Sequence, residues 1–204
     1  MTLEGSSLSA LRSRGYAILS LVLGAIGWFA SFELITEYVK KLKDPGYIPN
    51  CSVSVIVTCG PNMDSPQGSL FGFSNTILGV AAFVVPILIG AGILAGARFS
   101  PWFWRIYQLG LLGGFVFVCW LQVQSIFYLG TLCPWCMVVW AVMIPLWWIG
   151  LVRPYAVGDI PLGGAGRRFA RAAYGWVWVV IVVNYLIIAT VAQLQLNWFA
   201  EFSR

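Results

Sequence analysis

Five apolar runs, at about residues 16–37, 71–95, 104–129, 132–151 and 174–196, are each long enough to cross a bilayer, which takes about 20 residues per helix. Nothing else in the sequence limits the fold so strongly. In lipid, backbone polar groups must be satisfied internally, so apolar runs of this length are helices. Hydrophobic residues make up 60% of the 204 and charged residues only 9%, too polar-poor a balance for a water-soluble domain. The expected class is all-α integral membrane, a single membrane domain over residues 1–204. An odd number of spans puts the termini on opposite sides.

Lysine and arginine in the short flanks and loops set the orientation. One side carries Arg12, Arg14, Arg98, Arg105, Arg153, Arg167, Arg168 and Arg171 against Glu4 and Asp159. The other carries Lys40, Lys41, Lys43 and Arg204 against Glu33, Glu37, Asp44, Asp64 and Glu201. The arginine-rich side is expected to be cytoplasmic, giving an N-in, C-out chain. Lys40, Lys41 and Lys43 run against that bias without reversing it. The net charge of +5 is thus accounted for by membrane orientation and gives no reason to expect nucleic acid as a partner. Arg12 and Arg14 before an apolar run also fit a signal peptide, but the run continues for about 20 residues with no small-x-small site before Glu33, so an uncleaved first span is expected.

No internal repeat or low-complexity segment is visible, so the chemistry must sit in the bundle and its loops. The extracytoplasmic loop, residues 38–70, is punctuated by Asp44-Pro45-Gly46, Pro49-Asn50, Gly60-Pro61-Asn62 and Ser65-Pro66-Gln67-Gly68. Between them, residues 52–57 read as either a short extended piece or a half-buried helix. Residues 158–166 read as a plain glycine-rich connector. Four cysteines fall on the extracytoplasmic side, where disulfides form and persist: Cys51 and Cys59 in the loop, Cys133 and Cys136 opening the fourth span. Cys119, in mid-span, reads as a small packing residue.

Three chemistries fit the four cysteines. Two structural disulfides are one. A tetrathiolate metal site is a second, although structural zinc sites favour two close pairs and Cys51-x7-Cys59 is wide; the chain has no histidine, which excludes mixed ligation. A redox relay between the pairs is the third. Helix geometry favours the relay. With Pro134 in the first turn, Cys133 and Cys136 lie three apart on one face, where free N–H groups and the helix dipole stabilise a thiolate and lower the thiol pKa. Such a dithiol must pass two electrons onward. Without histidine for the usual haem ligation, and without a flavin or nicotinamide glycine pattern, the acceptor available in a bilayer is a lipid quinone, menaquinone or ubiquinone. Residues at the right depth for its head group are Asn75, Gln122, Phe127, Trp135 and Trp140. An interfacial belt explains most of the 11 tryptophans, and hydrogen bonding between helices is the alternative for Asn75 and Gln122 and the preferred reading of Asn184.

The order Cys51-x7-Cys59, Asp64-Ser65-Pro66, Phe71-Gly72-Phe73-Ser74-Asn75, then Cys133-Pro134-Trp135-Cys136 resembles the vitamin K epoxide reductase family in its bacterial disulfide-forming branch. The likeness covers roughly the first four spans. It implies a four-helix bundle around a quinone, a fifth accessory helix and a capping loop, in a bacterial plasma membrane. It further implies that a reduced thioredoxin-like protein passes electrons to Cys51/Cys59, that Cys59 forms a transient disulfide with Cys133, and that Cys136 is the thiolate facing the quinone. Ser65 and Asn75 match supporting positions. The animal enzymes have a tyrosine four residues beyond the second active-site cysteine where this chain has Trp140, so the resemblance does not carry epoxide reduction or anticoagulant sensitivity over to it. Some bacterial members carry a fused thioredoxin-like domain; this chain ends at Arg204, so a separate extracytoplasmic partner is expected. Four-span proteins of the disulfide-bond B type do the same job with the two cysteine pairs in the reverse order. A non-catalytic membrane protein, or a metal or thiol transporter, with two structural disulfides is the rival from another class.

Overall fold

The structure, a computed structural model, describes residues 3–197, with side chains from Arg14 onward. Glu201, Arg204 and the side chains of Glu4 and Arg12 lie outside the described residues. Six α-helices follow in order: α1 Leu3–Lys43, α2 Gly60–Asp64, α3 Asn75–Leu94, α4 Pro101–Val123, α5 Pro134–Val157 and α6 Gly164–Leu196. All but α2 are long and apolar enough to cross a membrane, so the chain is a multi-pass membrane protein. Among the described residues there is no β-strand, only an isolated parallel bridge between Val57 and Leu132.

Helix ends depart from the apolar runs for local reasons. Residues 71–74 stay outside α3 as a loop closed across its ends by the Asn75 amide: its Nδ2 donates to Gln67 O at 2.6 Å and its Oδ1 accepts from Leu70 N at 3.2 Å. α6 starts at Gly164, well before the apolar run at Tyr174, which shortens the connector to residues 158–163. Arg167 and Arg171, on that extra helix, donate to Val157 O and Ala156 O at the C-terminal end of α5, where orphan carbonyls and the negative end of the dipole favour cations. Residues 52–57 form neither a strand nor a helix but a turn, closed by Val53 N and Ser54 N donating to Val57 O.

α5 is the central helix, packed against α1, α4 and α6, and it is apolar on every side, as a buried helix must be. α1 and α3 cross closely because glycines stand at the contact: a Cβ on Gly90 would come within 2.5 Å of Ala17 O, and one on Gly27 within 2.4 Å of the Phe83 ring. α6 packs on α5 from outside, and there Trp148 Nε1 donates to Asn184 Oδ1 at 3.3 Å, the interhelical bond expected of Asn184. Arg153, counted from sequence as a loop cation, is buried on the last turns of α5. Its guanidinium pairs with Asp159 and stacks 4.8 Å from the Tyr16 ring and 5.1 Å from the Trp104 ring. Since α3 packs on α1 and α4 on α5, a long slot remains between α3 and α4.

Candidate redox site at the loop end of the bundle

Cys133 is the N-cap of α5, with extended backbone, and Pro134 occupies the first turn, where a missing N–H is harmless. The Cys133 sulfur accepts from Cys136 N at 3.5 Å. A hydrogen bond from the Cys136 thiol, joined by the backbone N–H groups of Cys136 and Trp135, outweighs burial and holds the Cys133 thiol below the ordinary thiol range. A helix N-terminus thus favours thiolate at this position.

The loop is brought to Cys133 by backbone pairing. A π-helical turn, Gln124–Leu129, ends at Gly130, whose φ of +64° is the left-handed conformation glycine adopts without a Cβ penalty. The chain then runs extended: Leu132 N donates to Ile56 O at 2.8 Å and Thr58 N to Leu132 O at 3.1 Å. In that parallel register Cys59 arrives beside Cys133. Asn62 Nδ2 donates to Thr131 Oγ1 at 2.9 Å and locks the same contact from α2.

Three sulfurs result in one apolar nest with Leu34 and Met63. Cys51 and Cys59 are joined as a disulfide, while Cys133 and Cys136 are free thiols. Cys133 Sγ lies 3.1 Å from Cys59 Sγ, and both residues are 0% exposed. A thiolate at that distance from a disulfide sulfur is placed for exchange, which proceeds by attack of one sulfur on another. Cys119 is a free, half-buried thiol far along α4 and takes no part.

Cys136 faces the other way. With Trp140 it lines a small chamber of about 70 Å³ whose polar wall includes Asn62, Ser65, Gln67, Asn75 and Gln124. The chamber shares Cys136, Trp140, Asn75 and Leu121 with the slot between α3 and α4, an apolar cleft of about 1210 Å³ floored by Val139, Met143 and Leu146 of α5. Ser65 caps the short 3-10 turn Pro66–Ser69: its hydroxyl accepts from Gly68 N at 3.1 Å and donates to Asn62 O at 3.0 Å.

The residues singled out from sequence therefore separate. Cys51, Cys59, Cys133, Cys136, Ser65, Asn75 and Trp140 meet at one place. Trp135 packs against the sulfur nest and edge-on to Phe29, Phe127 is about half exposed, and Gln122 is buried on another face of α4; none of these three lines the chamber or the cleft. Sequence reasoning passed over Gln67 and Gln124. Gln124 continues the row of Phe117 and Leu121, spaced four and then three, and reaches the chamber, whereas Gln122, four residues beyond the cleft-lining Val118, lines neither space. Gln67 carried no periodic signal, and its Oε1 is buried with no hydrogen-bond partner.

No curated protein matches the chain. A family model does, that of the vitamin K epoxide reductase family, over residues 18–151, which takes in α1 from its first apolar turns, the loop, both cysteine pairs and most of α5. On that match, and with the two cysteine pairs meeting as described, the chain belongs to the vitamin K epoxide reductase family.

Proposed function

We propose that this membrane thiol oxidoreductase takes electrons from an extracytoplasmic thioredoxin-like, disulfide-forming protein and delivers them to a membrane quinone, reoxidising the partner. The observation that carries the reading is the position of Cys133: its sulfur lies 3.1 Å from Cys59, while Cys136, three residues on, lines the apolar cleft. One side of the dithiol meets another thiol pair and the other meets a lipid-accessible space.

The relay follows from sulfur chemistry. Partner thiols reduce the Cys51–Cys59 disulfide, taking it over themselves. The Cys59 thiolate then attacks Cys133 of an oxidised Cys133–Cys136 pair, forming a Cys59–Cys133 disulfide and releasing Cys136 as thiolate. Cys51 attacks Cys59, restoring Cys51–Cys59 and freeing Cys133. Each exchange replaces one S–S bond by another, and two electrons and two protons end on the Cys133–Cys136 dithiol. The disulfide and thiols of the structure correspond to that stage.

The residues present fit a quinone. The apolar cleft matches an isoprenoid tail, and the chamber offers amide and hydroxyl groups to a polar head, including the unpartnered Gln67 Oε1, an acceptor suited to a quinol hydroxyl. When bound, a quinone takes up two electrons and two protons. Asn75, Gln67 and Gln124 would hold its oxygens and Trp140 would wall the ring, with Ser65 keeping the cap folded. The quinone is menaquinone or ubiquinone. Orientation follows the charges: the arginines at the far end of the bundle support a cytoplasmic face there and an extracytoplasmic redox loop, in a bacterial plasma membrane.

The deciding assay supplies the purified protein with a reduced thioredoxin-like protein and a quinone and follows quinol absorbance. Sustained quinol formation is expected; cysteines that stay inert under these conditions would leave only a structural role for the disulfide. A second expected result concerns pH. Because the Cys133 thiol is held low, its exchange with the Cys51–Cys59 disulfide, followed by acid quenching and disulfide mapping, should speed up as pH rises through a midpoint below the ordinary thiol range and then level off. A midpoint at or above that range would contradict a stabilised thiolate.

A further inference from the structure

Glu37, in the last turns of α1, is 1% exposed and faces the loop rather than water. Its carboxylate is fully engaged: Oε1 accepts from Lys40 Nζ at 2.7 Å and Asn50 Nδ2 at 3.4 Å, Oε2 from Tyr47 Oη at 2.9 Å and Asn50 N at 2.8 Å. A buried carboxylate is costly unless paired and hydrogen-bonded, and the relay has no proton-transfer or electron-transfer step that uses it. What it grips is informative. Asn50 is the residue before Cys51, so the bond to Asn50 N ties the backbone at Cys51 to the rigid end of a membrane helix.

The other flank of the loop is tied to the same helix. Lys41, one residue beyond Lys40, pairs with Asp64 at the end of α2, the helix that Cys59 opens. Two of the three lysines that run against the charge bias are thus paired with carboxylates, Lys40 with Glu37 on α1 and Lys41 with Asp64 of α2. Cys59 itself is held from a third direction, by the Val57–Leu132 pairing beside Cys133. The turn at Val53–Val57 and the Ser52 Oγ–Thr58 Oγ1 bond link the two cysteine segments to each other, but of the two only the Cys51 side is held to α1 by Glu37.

We propose that Glu37 is a positioning residue for the relay: it keeps Cys51 within reach of Cys59 when the disulfide has moved to Cys59–Cys133, so that Cys51 can return and resolve it. This rests on the relay proposed above. In that step the Cys51 thiolate forms an S–S bond to Cys59, the Cys59–Cys133 bond breaks, and Cys133 leaves as thiolate; no electrons are gained or lost overall. Intramolecular attack depends on how often the nucleophile sits at bonding distance, which a loosened Asn50 reduces.

The test compares Glu37→Ala and the near-isosteric Glu37→Gln with the unaltered protein in three measurements. Partner-driven quinol formation is expected to fall about tenfold in Glu37→Ala through kcat, with a smaller fall in Glu37→Gln, whose amide oxygen still accepts from Asn50 N. Disulfide mapping during turnover is expected to show the Cys59–Cys133 species accumulating, with all four cysteines present. Pre-reduced protein mixed with quinone uses only Cys133 and Cys136, and its single-turnover rate is expected to stay within about twofold. Wild-type turnover without accumulation in both variants overturns the proposal. So does a proportional fall of multiple- and single-turnover rates in both variants, which would make Glu37 a brace for the fold alone. If the unaltered protein fails to make quinol, the relay itself is at fault and not the role of Glu37.

Discussion

Cys136→Ala is expected to lower partner-driven quinol formation on the order of 10³-fold or more, the scale on which loss of a reacting nucleophile is felt. Two-electron delivery from a dithiol requires that its sulfurs join, and with one removed there is no disulfide for Cys133 to form toward the cleft. The variant has a second, sharper signature. Cys133 keeps its place 3.1 Å from Cys59 and keeps the backbone N–H groups of the α5 terminus, although it loses the thiol hydrogen bond from Cys136. Its attack on Cys59 then yields a Cys59–Cys133 disulfide and a Cys51 thiolate, and nothing on the cleft side removes Cys133 from that bond. Mapping should find Cys59–Cys133 in a substantial fraction of the variant. Quinol formation at the unaltered rate, or Cys51–Cys59 as the only disulfide found, would send the electrons by a different route.

The fold and the four cysteines were legible for different reasons. Apolar length marks the five long helices, because lipid forces such runs to be helical, and proline after Cys133 marks the start of α5. The meeting of Cys59 with Cys133 has no local signature. It rests on two backbone hydrogen bonds of a parallel bridge between segments about seventy-five residues apart, and a single bridge leaves no alternation in the sequence to read. Gln122 and Gln124 show the same limit on a helix. Two residues apart, they point to different faces, and only the packing of α4 on α5 says which face borders the chamber. Charge was hardest to read. Glu37 and Arg153 look like ordinary interfacial charges at span ends, yet each is buried with its partners, since neighbouring loop or helix residues supply them.

In the proposed relay the two cysteine pairs make separable contributions, so a variant of the loop pair should show what the cleft pair does by itself. In Cys59→Ala the Cys51 thiol is left without a partner, and the sulfur that bridges loop and helix is gone. Partner-driven turnover is expected to fall at least about 100-fold, because a thioredoxin-like protein must then reach Cys133 itself, which is enclosed beneath the loop. In that relay the chemistry at the cleft needs neither loop cysteine. Once reduced, the variant still holds Cys133 at the N-cap of α5 and Cys136 against the cleft, so a single turnover with quinone should proceed within about threefold of the unaltered rate. That contrast separates the reading from one in which the loop disulfide is a structural staple. A staple stabilises the fold by constraining the unfolded chain, so its loss would lower both rates together with the melting temperature. Loss of the multiple turnovers with the single turnover intact assigns Cys59 to electron entry, whereas a parallel loss of both returns the Cys51–Cys59 bond to a purely structural role.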